Sequence, residues 1–544
     1  VTALPAAALM VVAAQGAPDL WPHLLRHVLP AATVETVAYL GGVGAIVLAV
    51  GSGAAWLVAG YDFPGRRLLS WALLLPMAMP AYIAAYAYLD VLHPVGPVQS
   101  ALRALFGITD PAGLPLPDIR SLGGCILVTG LVLYPYVYLN ARVAFAGQAA
   151  DAIWAARTVG ASGLRLFLRI GLPLARPAVA VGLGLALMEA LNDVGASEFL
   201  GVRTLTVSIY VTWLTRGSLE GAAQIALVLL ALVLMLLSLE RWGRRGVVFV
   251  GDPRPADPRP LTGAAGWAAT GACLLPILAG FVLPASYLGW KAWERVAVFG
   301  LPQELFGWAA NSAYYAAWAG LVTMVFGLFV AFAARQGRGL LLRLGSMGYA
   351  MPGGVAAVGL IIGLGWVDDG LDAFSRLLTG ANATWVLMGS GTALVMAYAI
   401  RFLAIPAGGL DAAYARLGED FDSAARGLGC RPWRLLAQIH LPMLRAPLIA
   451  AGLIVFVDAM KELPATLLLR PVNVETLATA LYGEAVRGTY EDGAVAALTL
   501  ILIAVLPAIL LAWLQDARTA SSEQTSSPGF RRRGLALSPA PAAE

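Results

Sequence analysis

Charge is scarce in this chain. Asp, Glu, Lys and Arg make up 12% of its 544 residues, about half of what a soluble domain uses to cover its surface. With 59% hydrophobic residues and a mean hydropathy of +0.76, most of its outside must face lipid. Lysine is scarcer still. Among 36 basic residues only Lys291 and Lys461 are lysines, and neither follows a glycine (GWKAW, DAMKEL). That excludes a P-loop, whose phosphate cradle needs Gly-Lys-Ser/Thr. Cysteine is limited to Cys125, Cys273 and Cys430, with no CxxC pair, which argues against a disulfide framework or a zinc-thiolate site. Histidine occurs four times. His23 and His27 have metal-ligand spacing, but no matching pair exists later in the chain.

What is present is a repeat. Ala155–Pro177 (AARTVGASGLRLFLRIGLPLARP) returns 269 positions later as Ala424–Pro447 (AARGLGCRPWRLLAQIHLPMLRAP). Ten positions agree, among them Ala155/Ala424, Ala156/Ala425, Gly160/Gly429, Ile170/Ile439 and Leu172-Pro173/Leu441-Pro442. The repeat extends outward at a spacing of 272, through Pro80/Pro352, Thr204-Leu205/Thr476-Leu477, Tyr210/Tyr482 and Gly221/Gly493.

A membrane crossing needs about 20 mostly apolar residues. Twelve such stretches are expected, near 2–16, 36–60, 68–91, 121–141, 178–200, 220–240, 263–287, 309–334, 344–366, 383–404, 447–468 and 493–514. The fold class is therefore all-α, a polytopic membrane protein of two parallel six-helix repeats. The organisation reads as a first repeat at 1–240 with a loop at 141–177, and a Pro-rich linker at 241–262. A second repeat at 263–515 follows with a loop at 404–447, then a disordered tail at 516–544. Arginines gather in the loops after even-numbered spans, from Arg66-Arg67 and Arg142–Arg176 to Arg401–Arg445. By the positive-inside rule both termini and both repeated loops face the cytoplasm.

Each loop reads as a short helix closed by a glycine (Gly160, Gly429), then a second short helix ended by Leu-Pro. Ala155, Ala156 and Gly160, with Ala424, Ala425 and Gly429, offer close approach to a neighbour. The bland alternative is a pair of amphipathic surface helices. The span after each loop carries acids at the same offset of 269: Glu189 with Asp458, and Asp193 with Glu462. Arg176 to Glu189 is ~20 Å of helix rise, deep in the bilayer, where carboxylates are costly. They either line a cation path or form an ion-paired packing cluster with Lys461 and Asn192. Tyr82, Tyr86 and Tyr88 either add phenolic oxygens or anchor at the interface. Pro80 and Pro352 bend matching spans.

The loop pattern, Ala-Ala, Gly, Ile and Leu-Pro at fixed spacing, resembles the EAA loop of the membrane subunits of bacterial ABC importers. Both copies depart from it at the Glu, which is Trp154 in one and Ser423 in the other; Asp151, and Asp420 or Asp422, stand nearby. The segments LPMAMPAYIAAYAYLD, ALNDVGASEFLG and VDAMKELPATLLLRPVNVETLATALY resemble the fused permeases of bacterial ferric-iron importers. That resemblance implies a type I importer permease in the inner membrane, which is no enzyme itself. It implies two copies of an ATPase subunit holding ATP and Mg beneath the loops, and a periplasmic iron-binding protein above. The cargo it implies is Fe(III); the chain holds no cofactor and has no nucleic-acid partner. Importers of thiamine or of another organic cation or anion are the alternative within the class. A secondary transporter with no ATPase is the alternative outside it.

Overall fold

The computed structural model of the chain describes residues 4–505 except 17–19, 111–116, 147–154, 159, 162, 244–257, 349–350, 382–386, 416, 419 and 490. The expected tail at 516–544, Asp151 and Trp154 lie outside the described residues, as does most of the linker. The described chain is almost entirely helical. Eight of its described helices are long and apolar enough to cross a bilayer, or up to ten if each of two bent pairs is one span, against the twelve stretches expected from the sequence.

In the first repeat the helices are α1 (Leu4–Gln15), α2 (Trp21–Gly60), the bent pair α3 (Arg66–Ala78) and α4 (Ala81–Val91), α5 (Pro97–Phe106) and α6 (Leu122–Ala146). They continue as α7 (Gly163–Asn192), α8 (Val194–Phe199), α9 (Leu205–Thr215) and α10 (Leu219–Gly243). The second repeat opens with α11 (Gly263–Phe299), α12 (Leu305–Arg335), α13 (Gly339–Met347) and α14 (Gly353–Thr379). The bent pair α15 (Gly391–Phe402) and α16 (Ala404–Tyr414) comes next, then α17 (Asp420–Gly427), α18 (Pro432–Met460), α19 (Pro464–Leu469) and α20 (Leu477–Arg487). A last helix begins at 491 and is described to 505.

Two expectations change. Leu172-Pro173 and Leu441-Pro442 do not end a surface helix. The chain passes through a π-turn at Phe167–Gly171 or Leu436–His440 and runs on as α7 or α18. The same device appears at Leu24–Val28 and Leu278–Val282, and these four π-turns are followed directly by Leu-Pro, whereas a fifth, at Val211–Thr215, is not. Proline has no N–H to donate and its ring crowds the carbonyl four residues back. One residue inserted ahead of it relieves both problems without breaking the helix. The second change concerns the spans expected at 178–200 and 447–468. Both break, at Asp193 and at Lys461–Leu463, and a six-residue helix follows each break.

The repeats interlock. α1 of the first repeat lies on α14 of the second, where a Cβ on Gly359 would stand 2.5 Å from the Pro5 carbonyl and one on Gly363 3.1 Å from Leu4. α11 of the second repeat lies on the first, with the Tyr88 hydroxyl donating to the Ala279 carbonyl (2.5 Å) and Tyr287 donating to Asp90 Oδ2 (2.5 Å). Proline 80 stands at the 90° bend between α3 and α4, and Pro352 stands just ahead of α14.

Candidate functional site

The two repeated loops share one backbone solution. In the first, Gly160 has φ +87°; its N–H donates to the Arg157 carbonyl (3.1 Å) and the Ala161 N–H donates to Ala156 (3.0 Å). In the second, Gly429 has φ +74°; its N–H donates to Arg426 (3.0 Å) and Cys430 donates to Ala425 (2.9 Å). These paired bonds are the Schellman closure of a helix, and its left-handed position suits glycine. Ala156 and Ala425 are buried against the span, while Ala155, Gly160, Ala424 and Gly429 face outward. On α17 and just after it, Phe421 and Leu428 are exposed, Leu428 to 89%. An apolar tip on a polar elbow is a surface suited to another protein.

Asp420 is exposed at the start of α17, but Asp422 is turned inward and buried. Its carboxylate accepts from Arg335 Nε (2.9 Å) and pairs with His440 Nε2 (2.8 Å). Burial raises its pKa; the hydrogen bonds and charges of Arg335 and His440 lower it and prevail, holding Asp422 below the usual carboxylate range.

Far from the loops, all four acids singled out in the sequence line one cavity of about 70 Å³, where α7, α18 and the bend at Pro80 meet. Two of them do local backbone work. Asp193 caps α8, its Oδ1 accepting from the Ala196 N–H (2.9 Å). Glu462 does the same for α19: Oε1 accepts from the Ala465 N–H (3.0 Å), and Oε2 from the Thr466 N–H (3.1 Å) and hydroxyl (2.9 Å). A carboxylate at a helix start satisfies donors the helix cannot. The other two are more open. Glu189 lies 3.5 Å from Arg401 Nη2, and Asp458 lies 3.0 Å from Lys461 Nζ. Their side chains are 34% and 29% exposed, against 1% for Glu462.

Arg401 is the residue that sequence reasoning misplaced. It was expected at the edge of a cytoplasmic loop. It stands instead inside α15, buried, with Nη1 donating to Glu462 Oε1 (3.0 Å). A lone arginine in the apolar run AYAIRFLAI was the available signal, since charge within a span needs a partner there. Asn192, the other polar neighbour, accepts the Gly353 N–H (2.6 Å) across the repeats. Of the three tyrosines only Tyr82 lines the cavity. All are buried, and they tie the repeats together: Tyr82 donates to the Lys461 carbonyl (3.3 Å), Tyr86 to Thr489 (3.2 Å) and Tyr88 to Ala279. His23 and His27 lie side by side, ring centroids 5.3 Å apart and planes tilted by 40°. Among the described residues no three His, Cys, Asp or Glu side chains converge as a metal site.

Comparison with known proteins gives this geometry a family. The family described as "Binding-protein-dependent transport system inner membrane component" matches twice, at residues 48–247 and 323–519. The Fe(3+)-transport system permease protein FbpB 2 of Haemophilus influenzae is 22% identical over 483 residues, covering 86% of each chain. The molybdenum transport system permease protein ModB of Escherichia coli K12 is 31% identical over 194 residues, covering 35% of this chain and 81% of that one. The sulfate transport system permease protein CysW of the same strain is 32% identical over 197 residues, covering 35% and 64%. The chain, a multi-pass protein of the inner membrane carrying that unit twice, belongs to the binding-protein-dependent transport system inner membrane component family.

Proposed function

We propose that the chain is the two-repeat translocation subunit of an ATP-driven ferric-iron importer. In this reading two copies of a separate ATPase dock on the elbows around Gly160 and Gly429, and a periplasmic iron-binding protein delivers from the other side. The observation that carries the cargo is the cavity between the repeats. Four carboxylates line it against two cations, Arg401 and Lys461. Hard cations prefer oxygen ligands. Asp193 and Glu462 are committed to capping; Glu189 and Asp458 are free to exchange their cationic partners for a passing ion. A relative that matches along nearly its whole length and bears the name of an Fe(3+) permease supports the same reading.

Transport follows from alternating access. The repeats are joined by polar ties at and beyond the cavity: Glu189 to Arg401, Asn192 to Gly353, Tyr82 to Lys461 and Glu198 to Tyr482. Closure of the ATPases brings the elbows together, and the helices α7 and α18 carry that movement to the ties. Opening them exposes the carboxylates.

The second reading is an oxyanion importer. It is favoured by the cationic pair Arg401 and Lys461 in the same cavity, and by relatives named for molybdenum and sulfate. The test is uptake into proteoliposomes carrying the chain and its ATPase, with labelled Fe(III) or molybdate on the cognate binding protein. The double change Glu189→Gln and Asp458→Asn is expected to lower iron uptake by ~10-fold or more. Full iron uptake by that variant, or transport of molybdate alone, overturns the iron reading.

A further inference from the structure

The two elbows match in backbone but not in what holds them. In the second repeat a buried polar splint fixes α17. Arg335 is the last residue of α12, and its guanidinium is used on every edge: Nε donates to Asp422 Oδ2 (2.9 Å), Nη1 to the Tyr414 carbonyl (3.3 Å), and Nη2 to the Leu417 and Gly418 carbonyls (3.1 and 3.2 Å). Asp422 passes the connection to His440 Nε2 (2.8 Å), and His440 Nδ1 meets the Tyr414 hydroxyl (3.1 Å). His440 is the last residue of the π-turn from which the transmembrane part of α18 continues. Asp458, at the other end of that helix, lines the cavity. From His440 to Asp458 is ~27 Å of helix.

The first repeat matches the arginine of this splint with Arg66 but lacks its acid, histidine and tyrosine. At the offset of 269, Asp422 corresponds to Ile153, His440 to Gly171 and Tyr414 to Phe145. Around Phe145 and Gly171 the packing is aromatic. Trp56 lies edge-on to Phe145 (5.3 Å between centroids) and tilted against Phe167 (5.4 Å). A Cβ on Gly171 would stand 2.6 Å from the Trp56 ring, so only glycine admits the indole.

We infer that Asp422 is a positioning residue for force transfer: through Arg335 and His440 it makes α17 and α18 move as one body, so the second elbow drives its half of the cavity by a rigid ionic link that the first repeat's sequence does not duplicate. This rests on the ATPase-coupled reading above. Ion pairs with fixed hydrogen-bond geometry resist shear, because any slip leaves a buried charge unpaired.

The test reads each half separately. Cys125, Cys273 and Cys430 are replaced, and a single reporter cysteine is placed at Met188 on α7 or at its counterpart Val457 on α18, both partly exposed. Maleimide labelling is timed with and without ATP in nanodiscs holding the chain and its ATPase. In the parent both reporters are expected to change rate on ATP. With Asp422→Asn the change at 457 is expected to fall ~10-fold while that at 188 persists. Arg335→Lys, which keeps the charge but loses the fork, is expected to do the same in smaller measure. Equal responses at both positions in Asp422→Asn, or equal loss at both, overturn the inference. So does failure of both variants to assemble with the ATPase, since the network is then only a folding element. A parent without any ATP response fails earlier, at the importer reading itself.

Discussion

Glu462 shows what one side chain decides here. With its side chain 1% exposed it accepts three donors from the start of α19 and one from Arg401. Replacing it with Ala removes the 3.0 Å partner of the buried Arg401 and the acceptor of the α19 donors, at a cost of about 3–5 kcal/mol. Thermal unfolding in detergent, compared with Asp458→Ala at a half-exposed position, checks this; equal shifts would refute it. Gly353 is tied to the same spot. A Cβ there would stand 2.7 Å from Glu462 Oε1 and 2.8 Å from Arg401 Nη1. Gly353→Ala is therefore expected to part that ion pair and lower transport several-fold, with the elbows and ATPase binding intact; transport at the parent rate would count against it. At Asp422 the pKa is depressed in the folded chain. Its contribution is thus complete above the unfolded value of about 3.9 and is lost as pH falls through the lower folded value. The stability gap between parent and Asp422→Asn should shrink on acidification below about pH 4, measured by unfolding across pH. A gap that widens with acid would reverse the sign.

At the scale of elements, the four π-turns before Leu-Pro were hidden in plain letters. Proline was expected to end the loop helices, as it often does. It did not, because a single inserted residue disposes of the missing bond while the helix on either side stays packed. That packing is tertiary and invisible to a local rule. Pro442→Ala removes the reason for the turn. Regularising it would rotate the residues on one side by about 100°, turning His440 away from Asp422. We expect less transport per ATP with ATPase binding retained, measured in proteoliposomes; unchanged coupling would mean that packing alone sets the turn. The paired glycines at 160 and 429 were legible for a different reason. A helix closed in the left-handed region has a short list of residues that fit it, so glycine at the end of an Ala-rich run states its geometry almost by itself.

At the scale of the whole molecule, the first helix of each repeat lies on the other repeat. Neither half encloses its own core. Separate expression of 1–250 and 251–544 should give two unstable pieces, and co-expression should restore one particle, seen by affinity capture and size exclusion. Stable, monodisperse halves on their own would contradict the interlock. The same exchange explains why the tyrosines' partners were not legible in the sequence. Tyr82, Tyr86 and Tyr88 occur on one helix, but the carbonyls they meet belong to Lys461, Thr489 and Ala279. Nothing within a few residues of them names those partners.

Composition, the 269-residue repeat and the loop glycines were enough to establish a lipid-embedded, two-fold helical chain with matched elbows and matched acids. Those features arise from local or periodic physics: desolvation of apolar runs, backbone conformational preference, and duplication. The ionic order of the cavity came from folding alone. Which carboxylates cap helices, which remain exchangeable, and where Arg401 goes depend on helices 60 to 210 residues apart in sequence meeting in a low-dielectric interior. There a charge takes whichever partner the fold brings within 3–4 Å, and letters on one chain do not record that distance.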